Sequence, residues 1–280
     1  MPDLPPARLE ILFARDVPRA VILRTGPSRH TRMILWDTRR DAFTDGQWVK
    51  HRIYAQRCHL SPDGKHFVYC GFRPFRPDGR SLGGYTAISR PPFFTALWFH
   101  AQHDTWGGGG TFVDNRNVWL HLPYPGEALS APPPPGLIPV FHPATHPAHG
   151  RKGRSWGMVP EFLVTGDGKR AALRRADLDR LRAEQEAPGF DKAFIGHGQP
   201  DWPDWCVVRD GCLYRRQADG TETLLRDFNA MRFEPVEAPY RGVPVLTRPA
   251  RAKAPLRSRT PAPHAPAFFK PLKDPALPND

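Results

Sequence analysis

A four-residue corner, Ser61-Pro62-Asp63-Gly64, constrains this chain more than any other feature. Pro62 pre-sets φ for the first turn position, Asp63 can bond back to the backbone, and Gly64 accepts the positive φ that follows. The runs on either side are rich in Ile, Tyr, Phe and Val, side chains that fit a pleated, half-buried surface. Residues 52–72 are therefore predicted to form a β-hairpin. Phe67, Val68, Tyr69 and Cys70 place apolar groups on both faces of its second strand, so that strand is expected to be covered on both sides.

The rest of the chain repeats the pattern of short apolar runs and tight turns. Segments 9–14, 20–24 and 31–38 read as strands, and Asp45-Gly46 carries turn chemistry. Strand-like runs follow at 85–89 and 93–99. A second hairpin is predicted at 111–122 around Asp114-Asn115-Arg116-Asn117, and a third at 206–216 around Asp210-Gly211. Residues 221–225 and 231–236 continue the β pattern. Between these elements, 123–153 reads as a Pro-rich extended loop. Residues 169–187 read as a helix, stopped by Pro188-Gly189. The predicted class is all-β: a β-rich domain over 1–240 with an inserted helix, then a basic, Pro-rich irregular tail over 241–280.

Composition narrows the classes of function. The 280 residues include 34 prolines and 24 glycines, about a fifth of the chain, which leaves little room for long helices, while eight Trp and 17 Phe argue for a packed core. No run approaches the ~20 apolar residues that span a bilayer. The first residues also lack the basic segment and long apolar stretch of a signal peptide, so a cytoplasmic protein without a membrane partner is expected. The formal net charge is +12, concentrated in the tail, which favours anionic partners and allows nucleic acid to bind 241–280. The four cysteines form no C-x-x-C, and neither the 52–72 hairpin nor the one at 206–216 sets cysteine opposite cysteine. Reduced, buried thiols are expected.

Trp36-Asp37 closing a strand, Ser61-Pro62-Asp63-Gly64 between strands, and the later Asp210-Gly211-x-Leu213-Tyr214 resemble blades of WD-repeat-type β-propellers. The chain is also similar to bacterial proteins that carry W-D-T, S-P-D-G and W-G-G-G-G segments. The resemblance covers about 9–240 and implies an irregular, propeller-like array of antiparallel hairpins. Hairpins beginning near 52, 111 and 206 do not keep a regular repeat of ~40 residues. A β-sandwich or another β-rich arrangement is the alternative.

Candidate site residues fall into three groups. Arg73, Phe75, Arg76 and Arg90, with Trp106, place guanidinium groups and rings in loops between strands, where a rigid β-scaffold presents its recognition residues. His100, His103, His142, His146 and His149 are candidate zinc ligands for a metal-dependent hydrolase. Pro143 and Pro147, however, rule out a regular helix that would place His142 and His146 on one face. The run Gly107–Gly110 invites a phosphate-cradle reading, yet no Lys-Ser/Thr and no helix follow, so close backbone packing is expected instead. The leading expectation is a binding or scaffold module that recognises a protein or an anionic ligand through Arg/aromatic loops. No cofactor is assigned beyond the zinc of the hydrolase reading.

Overall fold

The computed structural model describes residues 5–26, 30–73, 83–102, 107–122, 133–143, 159–186 and 202–243. The fold is all-β with a single helix among these residues, and none of its four sheets closes on itself. The first sheet is an antiparallel meander of β1 (Arg8–Phe13), β2 (Arg19–Thr25), β3 (Thr31–Asp37) and β4 (Ala42–Val49). Its register aligns Ile11, Ile22 and Ile34 on one face and Leu12, Val21 and Leu35 on the other. Both faces are thus apolar, and both are buried.

The second sheet is built on the predicted hairpin. β5 (Arg52–Ile53) and β6 (His59–Leu60) both pair with β7 (Phe67–Arg73), separated by a 3-10 turn at Ala55–Arg57. β8 (Gly83–Ser89) and β9 (Ala96–Ala101) complete it. In the corner, Ser61 Oγ accepts the amides of Lys65 (3.1 Å) and His66 (2.9 Å) and donates to Asp63 Oδ1 at 2.7 Å. Gly64 takes φ +69°. The same corner ties neighbouring loops together: the Asp16 amide donates to Pro62 O, and the Asp63 amide to Asn115 Oδ1.

The third sheet joins β10 (Gly110–Phe112), β11 (Asn117–Leu120), β12 (Ile138–Phe141) and β13 (Val164–Thr165). β11 and β12 run parallel, the other pairs antiparallel. The fourth sheet contains β14 (Cys206–Arg209), β15 (Cys212–Arg216) and β16 (Glu222–Asp227). The helix, α1, spans Arg175–Glu186.

The cores between these elements fix their order. Leu9, Ile11, Ile22, Ile34 and Trp36 of the first sheet pack on Cys206, Leu213 and Phe228 of the fourth. The opposite face, with Val21, Leu23 and Met33, packs on Phe67, Tyr69, Tyr85 and Phe99 of the second. Val68, Ile88 and Trp98 then meet Phe112, Val118, Leu120 and Phe141 of the third. Trp119 and Val140, on its far side, are covered by Leu178 and Leu181 of α1. The stack therefore runs fourth sheet, first, second, third, helix.

Several local expectations are corrected. Asp45-Gly46 is not a turn but the interior of β4. The turn lies at 38–41, where Asp41 takes φ +52°. Glycine at 46 answers a close approach instead: a Cβ there would lie 1.9 Å from Pro92 O. The strand-like run at 93–99 begins at Ala96 rather than 93, after the loop that makes this approach. The Pro-rich segment 123–153 contains β12, which finds an open edge on β11. The helix begins at 175 rather than 169, because Lys169 and Arg170 close back on Thr165 and Val164. Residues 231–236 form no strand. They open an irregular strap, 231–243, in which Glu234 pairs with Arg32, the Tyr240 hydroxyl donates to Thr95 O at 2.8 Å, and the Val243 amide donates to Ala96 O at 2.8 Å. The tail beyond 243 lies outside the described residues.

Because α1 covers an otherwise open apolar face, Leu181→Ala should lower unfolding stability by about 2–4 kcal/mol in urea titration. An exposed site on the same helix, Arg175→Ala, should leave it within about 0.5 kcal/mol.

Candidate functional site: a basic cleft between the first two sheets

At the end of the stack opposite the Ser61–Gly64 corner, the first two sheets part around a cleft of about 700 Å³. Strand alternation explains its lining. Arg8, Thr25 and Thr31 stand in one cross-strand row, with Glu10 and Leu23 in the next. All five lie on the face whose continuation is the apolar Leu12, Val21 and Met33. The opposite wall comes from the β4–β5 corner and the 3-10 turn: Lys50, His51, Arg52, Ile53, Tyr54, Ala55 and Gln56, with Phe72 from β7. The rim is cationic, and its inner surface mixes aliphatic with polar groups.

Arg8, Lys50 and Arg52 form no ion pair among the described residues, whereas most arginines of the fourth sheet and α1 are paired with Asp or Glu. Lys50 Nζ rests 4.1 Å from the ring centroid of Phe233 in the strap, and the Arg52 guanidinium lies 4.7 Å from that of Tyr54. Glu10 is the acidic member of the lining.

His51 Nε2 and Tyr85 Oη lie 2.5 Å apart. Tyr85 reaches the histidine across Gly71, its cross-strand partner, where a Cβ would lie 2.4 Å from the phenol ring. Burial lowers the His51 pKa to about 4, and the charge of Arg73 pushes the same way. The ring is therefore neutral at pH 7. Burial likewise raises the Tyr85 hydroxyl well above its ordinary value.

The sequence candidates are dispersed. Arg73 closes β7 and acts on His51 through its field. Arg90 belongs to the strap's anchorage: its amide donates to Tyr240 Oη at 3.1 Å, and its guanidinium lies 5.6 Å from the Tyr240 ring centroid. Phe75, Arg76 and Trp106 lie outside the described residues, as do His103, His146 and His149. His100 stacks on Trp98, on the side of the second sheet that faces the third. His142 lies near Trp119, on the helix side of the third sheet. These two histidines are thus on opposite sides of that sheet. Among the described residues, no group of three or more His, Cys, Asp or Glu is placed to hold a metal ion.

The glycine run is close-packed backbone. Gly108 N–H donates to His121 O and Gly109 N–H to Thr86 Oγ1, both at 2.7 Å. A Cβ on Gly109 would lie 1.9 Å from Arg57 O. Those two amides are thus not available to an anion. The cysteines are free thiols, with Cys58, Cys70 and Cys206 buried, and burial raises the pKa of each.

Sequence reasoning missed Arg8, Lys50, His51 and Tyr85. The available signal was a polar row, Arg8, Thr25 and Thr31, ending an otherwise apolar sheet face, and it becomes visible only once the strand register is known. With the geometry in hand, comparison of the chain with family models, curated proteins and solved structures gave no match.

His51 carries a consequence for stability. Its folded pKa lies below the unfolded value, so between about pH 6.5 and 4 the unfolded chain takes up a proton that the folded chain does not. Stability should therefore fall as pH drops through that window, by up to about 3 kcal/mol from this group. Urea titrations at pH 7 and pH 4.5 check this. His51→Gln should show a smaller loss between the two pH values than the parent chain.

Proposed function

We propose that the protein is a binding module for a small anionic ligand, held in the cleft between the first two sheets. The observation that carries this reading is the set of three cations, Arg8, Lys50 and Arg52. They come from separate elements, surround a concave space of ligand size, and lack carboxylate partners among the described residues. Cations without carboxylate partners around a concave cleft produce a field suited to an anion. The stacked sheets support the reading as a rigid, propeller-like frame in which neither wall can shift without disturbing a buried core.

The same reading treats the protein as cytosolic, in keeping with four free cysteines. No helix among the described residues is long and apolar enough to cross a membrane.

Pyrophosphate is a suitable probe. Isothermal titration calorimetry at low ionic strength should give saturable binding that weakens as salt is raised. The double substitution Arg8→Gln, Arg52→Gln should weaken binding by about ten-fold or more without changing the thermal midpoint appreciably. Binding unaffected by the double substitution would place the anion elsewhere and overturn the reading.

A further inference from the structure

The cationic rim accounts for only part of the cleft. Beside it the cleft lining carries polar atoms with no hydrogen-bond partner among the described residues. Thr31 is 2 % exposed, yet its hydroxyl has no hydrogen-bond partner among the described residues, and it lines the cleft. Thr25, its cross-strand neighbour, also lines the cleft and likewise lacks a side-chain partner there. His51 spends Nε2 on Tyr85, which leaves Nδ1 as the unengaged nitrogen of a neutral ring. Gln56 adds an amide.

Polar atoms at a cleft wall that no protein group engages are left to water or to a ligand. Thr31 is buried, Thr25 and His51 are half-buried and Gln56 is exposed, so together they offer open donors and acceptors beside Leu23, Ile53, Ala55 and Phe72, which fits the uncharged, hydrogen-bonding half of a ligand. A bare inorganic anion would meet the rim and leave this inner surface unused.

Resting on the anion-binding reading above, we infer that the cleft recognises a phosphate ester of a small polar organic molecule. The phosphate lies among Arg8, Lys50 and Arg52, and the organic half is hydrogen-bonded by Thr31, Thr25 and His51 Nδ1 over the aliphatic wall formed by Leu23 and Ile53. A phosphate suits the rim because its several oxygens can accept from cations arriving from different directions, which a single carboxylate does less well.

Two matched pairs of probes test this by calorimetry on the full chain: ADP against pyrophosphate, and ribose 5-phosphate against inorganic phosphate. In at least one pair the ester should bind about ten-fold tighter than its inorganic counterpart. Thr31→Val, which keeps the side-chain volume, should reduce that preference about five-fold, and His51→Phe should do the same, with inorganic binding unchanged. Thermal midpoints of both variants separate a lost contact from a lost fold. Equal binding within both pairs overturns the inference and leaves the anion reading standing. A preference that survives both substitutions overturns the assignment to these residues. No binding of any probe overturns both readings.

Discussion

Strands that are apolar on both faces leave a chain no choice but to cover each sheet twice. In β2, Ala20, Val21, Ile22 and Leu23 are all buried, with alternate members facing opposite neighbours. β7 does the same with Phe67, Val68 and Tyr69. Such sheets can only sit inside a stack, so the sequence must also supply the outer layers. It does so differently at the two ends. α1 lays Leu178 and Leu181 on the third sheet. The fourth sheet instead turns ion pairs such as Arg209–Glu222 and Arg216–Glu222 to solvent. Helix and polar sheet are thus two answers to one requirement, which is why one helix stands beside the sheets among the described residues.

Local turn chemistry made much of this legible. Ser61-Pro62-Asp63-Gly64 and Asp210-Gly211 form the corners their side chains demand, the latter with positive φ at both residues. The misreadings share a cause: a local signal was overruled by a partner distant in sequence. Asp45-Gly46 has turn composition, but its glycine is needed where Pro92 approaches. Residues 138–141 lie among prolines, yet the parallel edge of β11 recruits them into the third sheet. Residues 231–236 have strand-like composition, but their anchors are side chains: Phe233 on Trp48 and Glu234 on Arg32.

The cleft was less legible than the fold, for a related reason. Arg8, Thr25, Thr31, Lys50 and Arg52 are spread over 45 positions and belong to no motif. What unites them is register, which aligns Arg8 with Thr25 and Thr25 with Thr31 across three strands. Gly71 is a further case. It sits within a strand and is explained only by the phenol ring that crosses it toward His51. Exposed Arg/aromatic loops drew more notice in the sequence, but Arg90 proves to hold the strap.

The pairing of the first sheet with the fourth bears on how the protein is made. Leu213 and Phe228, which cover Ile11, Ile22, Ile34 and Trp36, leave the ribosome almost two hundred residues after them. At roughly 5–20 residues per second, the nascent chain carries a bare isoleucine row for about ten seconds or more. Cells that produce it must shield that row until β14 and β15 have been made, and a chain cut short before them would be left with a sticky, half-clad sheet.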